Sequence, residues 1–188
     1  MIIEITPDTE RHYPKHREEY DKDSFKIFLA GTIDNGDSYN WQEALIWRLS
    51  LYNCTPDNEI DLGSGYDFSL GAEDEKDIIV FNPRRDNWNP NATNEDVINQ
   101  IKWEQDHLDE ADLIIMYFAY NSKSPISLLE LGLYGPQGKL ICFCTKDFYR
   151  YNNVKCTCDK YLIDLYETSD IKKVADKIAS VYNEIMFK

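Results

Sequence analysis

With 188 residues the chain can bury a real hydrophobic core and fits one domain with extensions. Its 20 lysines and arginines stand against 34 acids, a formal charge of −14, which disfavours a polyanion-binding surface; no nucleic-acid polymer is expected as a partner, and a small ligand suits the chain better. The longest mostly apolar run, residues 111–120 with Asp112 as its one charge, falls far short of the roughly 20 residues of a membrane span, and no basic-then-apolar signal opens the chain. A cytoplasmic protein without a membrane partner is therefore expected. Five cysteines leave one unpaired under full disulfide bonding, which fits a reducing compartment. Cys142/Cys144 and Cys156/Cys158 have the residue type of metal ligands, but Lys139-Leu-Ile-Cys-Phe-Cys144 reads as a buried strand in which cysteine acts as a small hydrophobe, so no metal is expected.

Residues 1–24 are polar and charged, with Pro7 and Pro14 and no sustained period, and read as a loosely ordered arm. Residues 25–30 are β-rich and stop at Gly31; residues 38–52 read as a helix, with Trp41, Leu45, Leu49 and Tyr52 at three- and four-residue steps. Residues 53–76 are turn-like and acidic, an inserted loop. A second strand is expected over 77–81, ending at Asn82-Pro83, then a helix over 93–110 with Val97, Ile101, Leu108 and Ala111 on one stripe, and a third strand over 113–118. Ser124-Pro125 opens a helix to about Tyr134; strands four and five are expected over 140–143 and 161–165, and a last helix from Ser169. Strands alternating with helices at this spacing predict a parallel sheet covered on both faces.

In such a sheet, ligands bind beyond the carboxyl ends of the strands, so the segments after each strand should hold the chemistry. Gly31-Thr-Ile-Asp-Asn-Gly36 follows the first strand, where backbone N–H groups and a hydroxyl suit a sugar or phosphate, or the glycines merely make a tight turn. Asn82-Pro-Arg-Arg-Asp86 with Trp88 follows the second and offers two guanidinium groups and an aromatic face, or a solvated basic turn. Two acids stand out. Glu104 interrupts the apolar stripe of its helix, and Glu130 has Ile126, Ser127, Leu133 and Tyr134 as its neighbours at three and four residues, so each is a candidate for a partly buried carboxyl with a tuned pKa. Trp41, Trp47, Trp88 and Tyr39 are candidates for stacking on a base, although tryptophans at helical spacing more often pack in the core.

Phe28-Leu-Ala-Gly-Thr-Ile33, Phe81-Asn-Pro-Arg-Arg85, Trp103-Glu104, Ala111-Asp112 and Ser124-Pro-Ile-Ser-Leu-Leu-Glu-Leu-Gly132 together resemble the nucleoside 2-deoxyribosyltransferase superfamily, in its transferase-like branch, over about residues 25–165. The resemblance implies a flavodoxin-like (Rossmann-like) α/β domain over 25–188, with a parallel sheet of about five strands and helices on both faces. It implies Glu130 as the nucleophile that attacks the sugar anomeric carbon, and Glu104 as the acid that handles the base's proton or the sugar hydroxyls, where the family carries an aspartate. Ser124 stands where established transferases have an aspartate; it resembles relatives that hydrolyse nucleoside 5′-monophosphates, in which a serine contacts the phosphate. Gly31-Thr32-Ile33 likewise resembles their phosphate loop. Candidate substrate contacts are thus Gly31, Thr32, Ile33, Asn82, Arg84, Arg85, Trp88, Ser124 and Ser127. The implied activity is cleavage of the N-glycosidic bond of a nucleoside or its 5′-monophosphate through a covalent intermediate on Glu130, with transfer to water or another nucleobase, no cofactor, and a homo-oligomeric assembly. The alternative is a nucleotide-binding sensor without turnover; a dinucleotide-binding domain is disfavoured because no Gly-x-Gly-x-x-Gly occurs.

Overall fold

The computed structural model describes residues 2–12, 24–36, 38–52, 77–85 and 91–186. The inserted loop at 53–76, Cys54 and Trp88 lie outside the described residues. Six strands form one all-parallel sheet: β1 (Ile2–Ile5), β2 (Phe25–Gly31), β3 (Ile78–Phe81), β4 (Leu113–Phe118), β5 (Leu140–Cys144) and β6 (Asp164–Tyr166), in the order β1-β3-β2-β4-β5-β6. Strands β3, β4 and β5 are buried at every residue, as strands covered on both faces must be, and their near-continuous apolar sequences follow from that. Helices α2 (Trp41–Tyr52) and α6 (Ile171–Met186) cover one face; α3 (Asn94–Glu110), α4 (Pro125–Tyr134) and α5 (Tyr151–Tyr161) cover the other. A short α1 (Pro7–His12) follows β1. Without β1, the order is that of a flavodoxin-like sheet, with β3 and β4 flanking β2, so the chain reverses its direction of travel at β2 and leaves a crevice at the carboxyl edge there.

Three details differ from the sequence expectations. Part of the stretch read as an arm supplies β1, the sixth strand, with Ile2 opposite Ile78 and Ile5 opposite Phe81. Among its four residues only Ile5 is buried, so the strand shows no alternation to read; the β3 ladder fixes it, together with Asn82, whose N–H donates to the Ile5 carbonyl and whose amide donates to Glu4. Helix α5 occupies Tyr151–Tyr161, where a fifth strand was expected to start, and moves that strand to Asp164–Tyr166. Finally, α3 starts at a Thr93–Asp96 capping box, but its apolar stripe is covered only at the carboxyl end: Leu108 and Ala111 are buried, whereas Val97 and Ile101 face out.

Candidate active site

A cavity of about 260 Å³ opens at the carboxyl edge, on the α3/α4 side of the sheet. Phe28, Ala30 and Gly31 of β2 line it, with Ile33 and Asp34 from the turn that follows, Pro83 after β3, Glu104 of α3, and Ser124, Pro125, Ile126, Ser127 and Glu130 at the start of α4. Gly31 has φ of 136°, and a Cβ there would lie 2.2 Å from the Tyr117 carbonyl oxygen, so only glycine lets β2 leave the sheet this close to β4. Pro125 occupies the first turn of α4, and Ser127 and Glu130, three residues apart, share the helix face turned to the cavity.

The two acids meet in this cavity. Burial raises the Glu130 carboxyl to about 8, and the nearby Glu104 carboxylate adds to the rise. Burial also raises Glu104, but two partners oppose it: the Gln100 amide donates to Glu104 Oε1 at 2.7 Å, and Arg85 acts through its charge. Gln100 is fixed on three sides, since its Nε2 also reaches the Pro83 carbonyl (3.1 Å) and its Oε1 accepts from Arg85 Nε at 2.6 Å. The pair therefore shares negative charge unequally, with Glu104 the better stabilised carboxylate.

Behind the opposite wall runs a chain of hydroxyls. The Ala119 N–H donates to Thr32 Oγ1 (3.0 Å), Thr32 Oγ1 lies 2.6 Å from Ser124 Oγ, Ser124 Oγ lies 2.8 Å from Ser122 Oγ, and Ser122 Oγ donates to Asp34 Oδ1 at 2.6 Å. Thr32, Ser122 and Ser124 are buried. Ser124 (φ 42°) and Asp34 (φ 48°) both adopt left-handed backbone, and both side chains meet Ser122 Oγ.

The structure thus gathers Gly31, Ile33, Ser124, Ser127, Glu104 and Glu130 around one cavity. Thr32 stands behind the wall, its carbonyl accepting from Trp41 Nε1. Asn82 is turned to β1, and Arg84 donates to the Gly36 and Ser38 carbonyls, closing the turn after β2 rather than lining the cavity. Arg85 does not line the cavity; it bonds Gln100 and acts on Glu104 through its charge. Of the aromatic candidates, Trp41 is core, stacked on Tyr117, while Tyr39 and Trp47 are exposed and away from the cavity. Sequence reasoning missed Asp34, Ser122 and Gln100; the one available signal was an acid directly after the first strand.

Among the described residues no three or more His, Cys, Asp or Glu side chains are grouped to hold a metal ion, and no helix is long and apolar enough to cross a membrane. Cys142, Cys144 and Cys158 are free and buried. No curated protein is significantly similar to the chain. The sequence pattern described as "Nucleoside 2-deoxyribosyltransferase like" matches residues 24–148, a span that contains every wall of the cavity, and the chain belongs to that family.

Proposed function

We propose that the protein cleaves the N-glycosidic bond of a nucleoside or nucleoside 5′-monophosphate through a covalent glycosyl intermediate on Glu130. The observation that carries this reading is the pairing of Glu130 with Glu104 in one cavity at the switch point of the sheet, two carboxyls whose surroundings separate their proton affinities. A Glu130 oxygen attacks the anomeric carbon as the carbon–nitrogen bond breaks, and the bonding pair leaves with the base, which takes a proton from Glu104. In the second half, water or another nucleobase attacks the same carbon; the ester bond breaks, its electron pair returns to Glu130, and Glu104 accepts the incoming proton. The reaction needs Glu130 ionised and Glu104 protonated, so the proton passes from Glu130 to Glu104 before the glycosidic bond breaks, and the positive charge that then develops on the sugar favours the ionised form of Glu130. These steps need no cofactor. Free cysteines support a cytoplasmic setting. We also read the protein as a homo-oligomer, because an apolar surface on α3 and α4 adjoins the cavity at Ile126.

Incubation with a nucleoside and nucleotide panel, with chromatography of the products, tests the reaction. Free base should appear with the parent protein, and Glu130→Gln should lose at least about a thousandfold in kcat, in line with the loss of a nucleophile, while keeping its circular dichroism spectrum. A folded Glu130→Gln with near-parent turnover overturns the assignment. Adding a second free base separates acceptors: a new nucleoside identifies transfer, and free sugar identifies hydrolysis.

A further inference from the structure

We propose that Arg85 and Gln100 are positioning residues for Glu104: they keep its Oε1 as a hydrogen-bond acceptor, so that the proton Glu104 gives to the leaving base, and later takes back, travels on Oε2. This role rests on the N-glycosidic reading of the cavity and deepens it by naming the atom that carries the proton.

The contacts of Gln100 allow one orientation of its amide. A guanidinium has only protons to offer, and a carbonyl has none. The Gln100 oxygen therefore faces Arg85 Nε, at 2.6 Å, and its NH2 group faces the Pro83 carbonyl, at 3.1 Å. Both neighbours belong to the segment after β3, so the amide is fixed from outside α3. The same NH2 group lies 2.7 Å from Oε1 of Glu104, four residues further along the helix, and is a donor towards that oxygen. A proton on Oε1 would meet the amide proton head-on. A protonated Glu104 must then hold its proton on Oε2, which accepts no hydrogen bond among the described residues, on a side chain that lines the cavity. Without Gln100 the carboxyl is free to turn about its last bond, a torsion with two nearly equivalent positions.

Charge adds to this geometry. The Arg85 side chain is largely buried, and its Nη2 has no hydrogen-bond partner among the described residues. A buried charge is little screened by salt, and this one acts with the Gln100 amide to oppose the rise that burial imposes on Glu104. The other charged groups on this side are acids: Glu130 of α4 and Asp34 after β2 on the same cavity, and Asp8 of α1, 4.0 Å from Arg85 Nε. A carboxyl that holds its proton too firmly delivers it poorly to a leaving base. Arg85 and Gln100 thus set both the direction and the strength of the acid.

The test measures kcat and KM for base release by the parent, Gln100→Met, Gln100→Glu, Arg85→Met and Arg85→Lys, each checked for its fold by circular dichroism. In parallel, carbon-13 spectra of glutamate-labelled protein in a Glu130→Gln background follow the Glu104 carboxyl with pH, its signal assigned by its loss in Glu104→Gln. Gln100→Met and Arg85→Met should lower kcat about tenfold or more, the effect of one hydrogen bond to a charged group, with KM little changed and the Glu104 titration moved to higher pH. Gln100→Glu keeps the size of the side chain and an acceptor for Arg85 but presents no amide donor, so it should be as slow as Gln100→Met. Arg85→Lys keeps the charge and should recover part of the loss in Arg85→Met. Parent-like kcat in the Gln100 variants, a loss borne by KM alone, or a titration that stays in place overturns the positioning role and leaves the cleavage reading standing. If the parent releases no base, the cleavage reading fails; an upward titration then still shows Arg85 and Gln100 holding Glu104, and an unmoved one removes both.

Discussion

At Glu130 the folded protein holds a carboxyl at about 8 where its ordinary value is 4.5, chiefly because burial penalises the charge. Between those two values the unfolded chain has lost this proton and the folded chain keeps it. The folded state thus binds more protons, and this group's contribution to stability falls as pH rises through the window. Glu130→Gln removes that slope, so its melting temperature relative to the parent should climb between pH 5 and pH 8; a difference that stays flat in thermal melts would show that the carboxyl is not held protonated. Glu104 and Glu130 are legible in the sequence because a charge interrupting an apolar stripe is visible along a single helix. Asp34 and Ser122 are not, since they meet across 88 residues and each alone reads as a solvated turn. Gln100 takes its meaning from Arg85, on another segment, and no helical spacing reveals that.

Among the elements, α3 ends on a device supplied from outside the helix. The last carbonyls of a helix have no partner within it. Lys139, just before β5, donates from Nζ to the carbonyls of Leu108 and Asp109 at 2.8 Å and of Ala111 at 2.9 Å. Lys139→Met keeps the aliphatic stem and strands these acceptors, at about 1.5–3 kcal/mol for hydrogen bonds to a charged group. The melting temperature should fall by roughly 5 °C or more, with Lys139→Arg restoring part of it; an unchanged melt would show that water serves those carbonyls equally well. The central strands were legible because burial on both faces demands continuous apolar runs. Helix α5 was not, since only Val154 and Cys158 among its residues are buried, too few to set a period. Strand β1 escaped for a related reason, its place being set by the ladder to β3 rather than by its own pattern.

For the whole molecule, two neighbouring helices expose apolar side chains. Val97, Ile98 and Ile101 on α3 and Ile126, Leu129 and Leu133 on α4 are all exposed, on helices that cover the same face and touch where the Tyr134 hydroxyl donates to the Gln105 carbonyl. Exposed side chains in such a group mark an association surface. Light scattering should therefore find a mass above that of one chain, and Ile101→Asp combined with Leu129→Asp should lower it. A parent protein that is active yet strictly monomeric would refute the assembly. The formal charge of −14 sets copies repelling one another, so association should tighten as salt screens them.

The place of β1 has a consequence for how the chain is made. Ile2 to Ile5 are synthesised well ahead of their ladder partners, Ile78 to Phe81, and among the described strands β3 pairs otherwise only with β2. The nascent chain thus carries an isoleucine-rich segment that cannot settle until a long stretch of later sequence has been translated, a non-local closure of the kind that slows folding. Once made, β3 presents a bare edge until β1 pairs with it. The yield of folded protein should therefore depend on translation speed across the codons that precede β3.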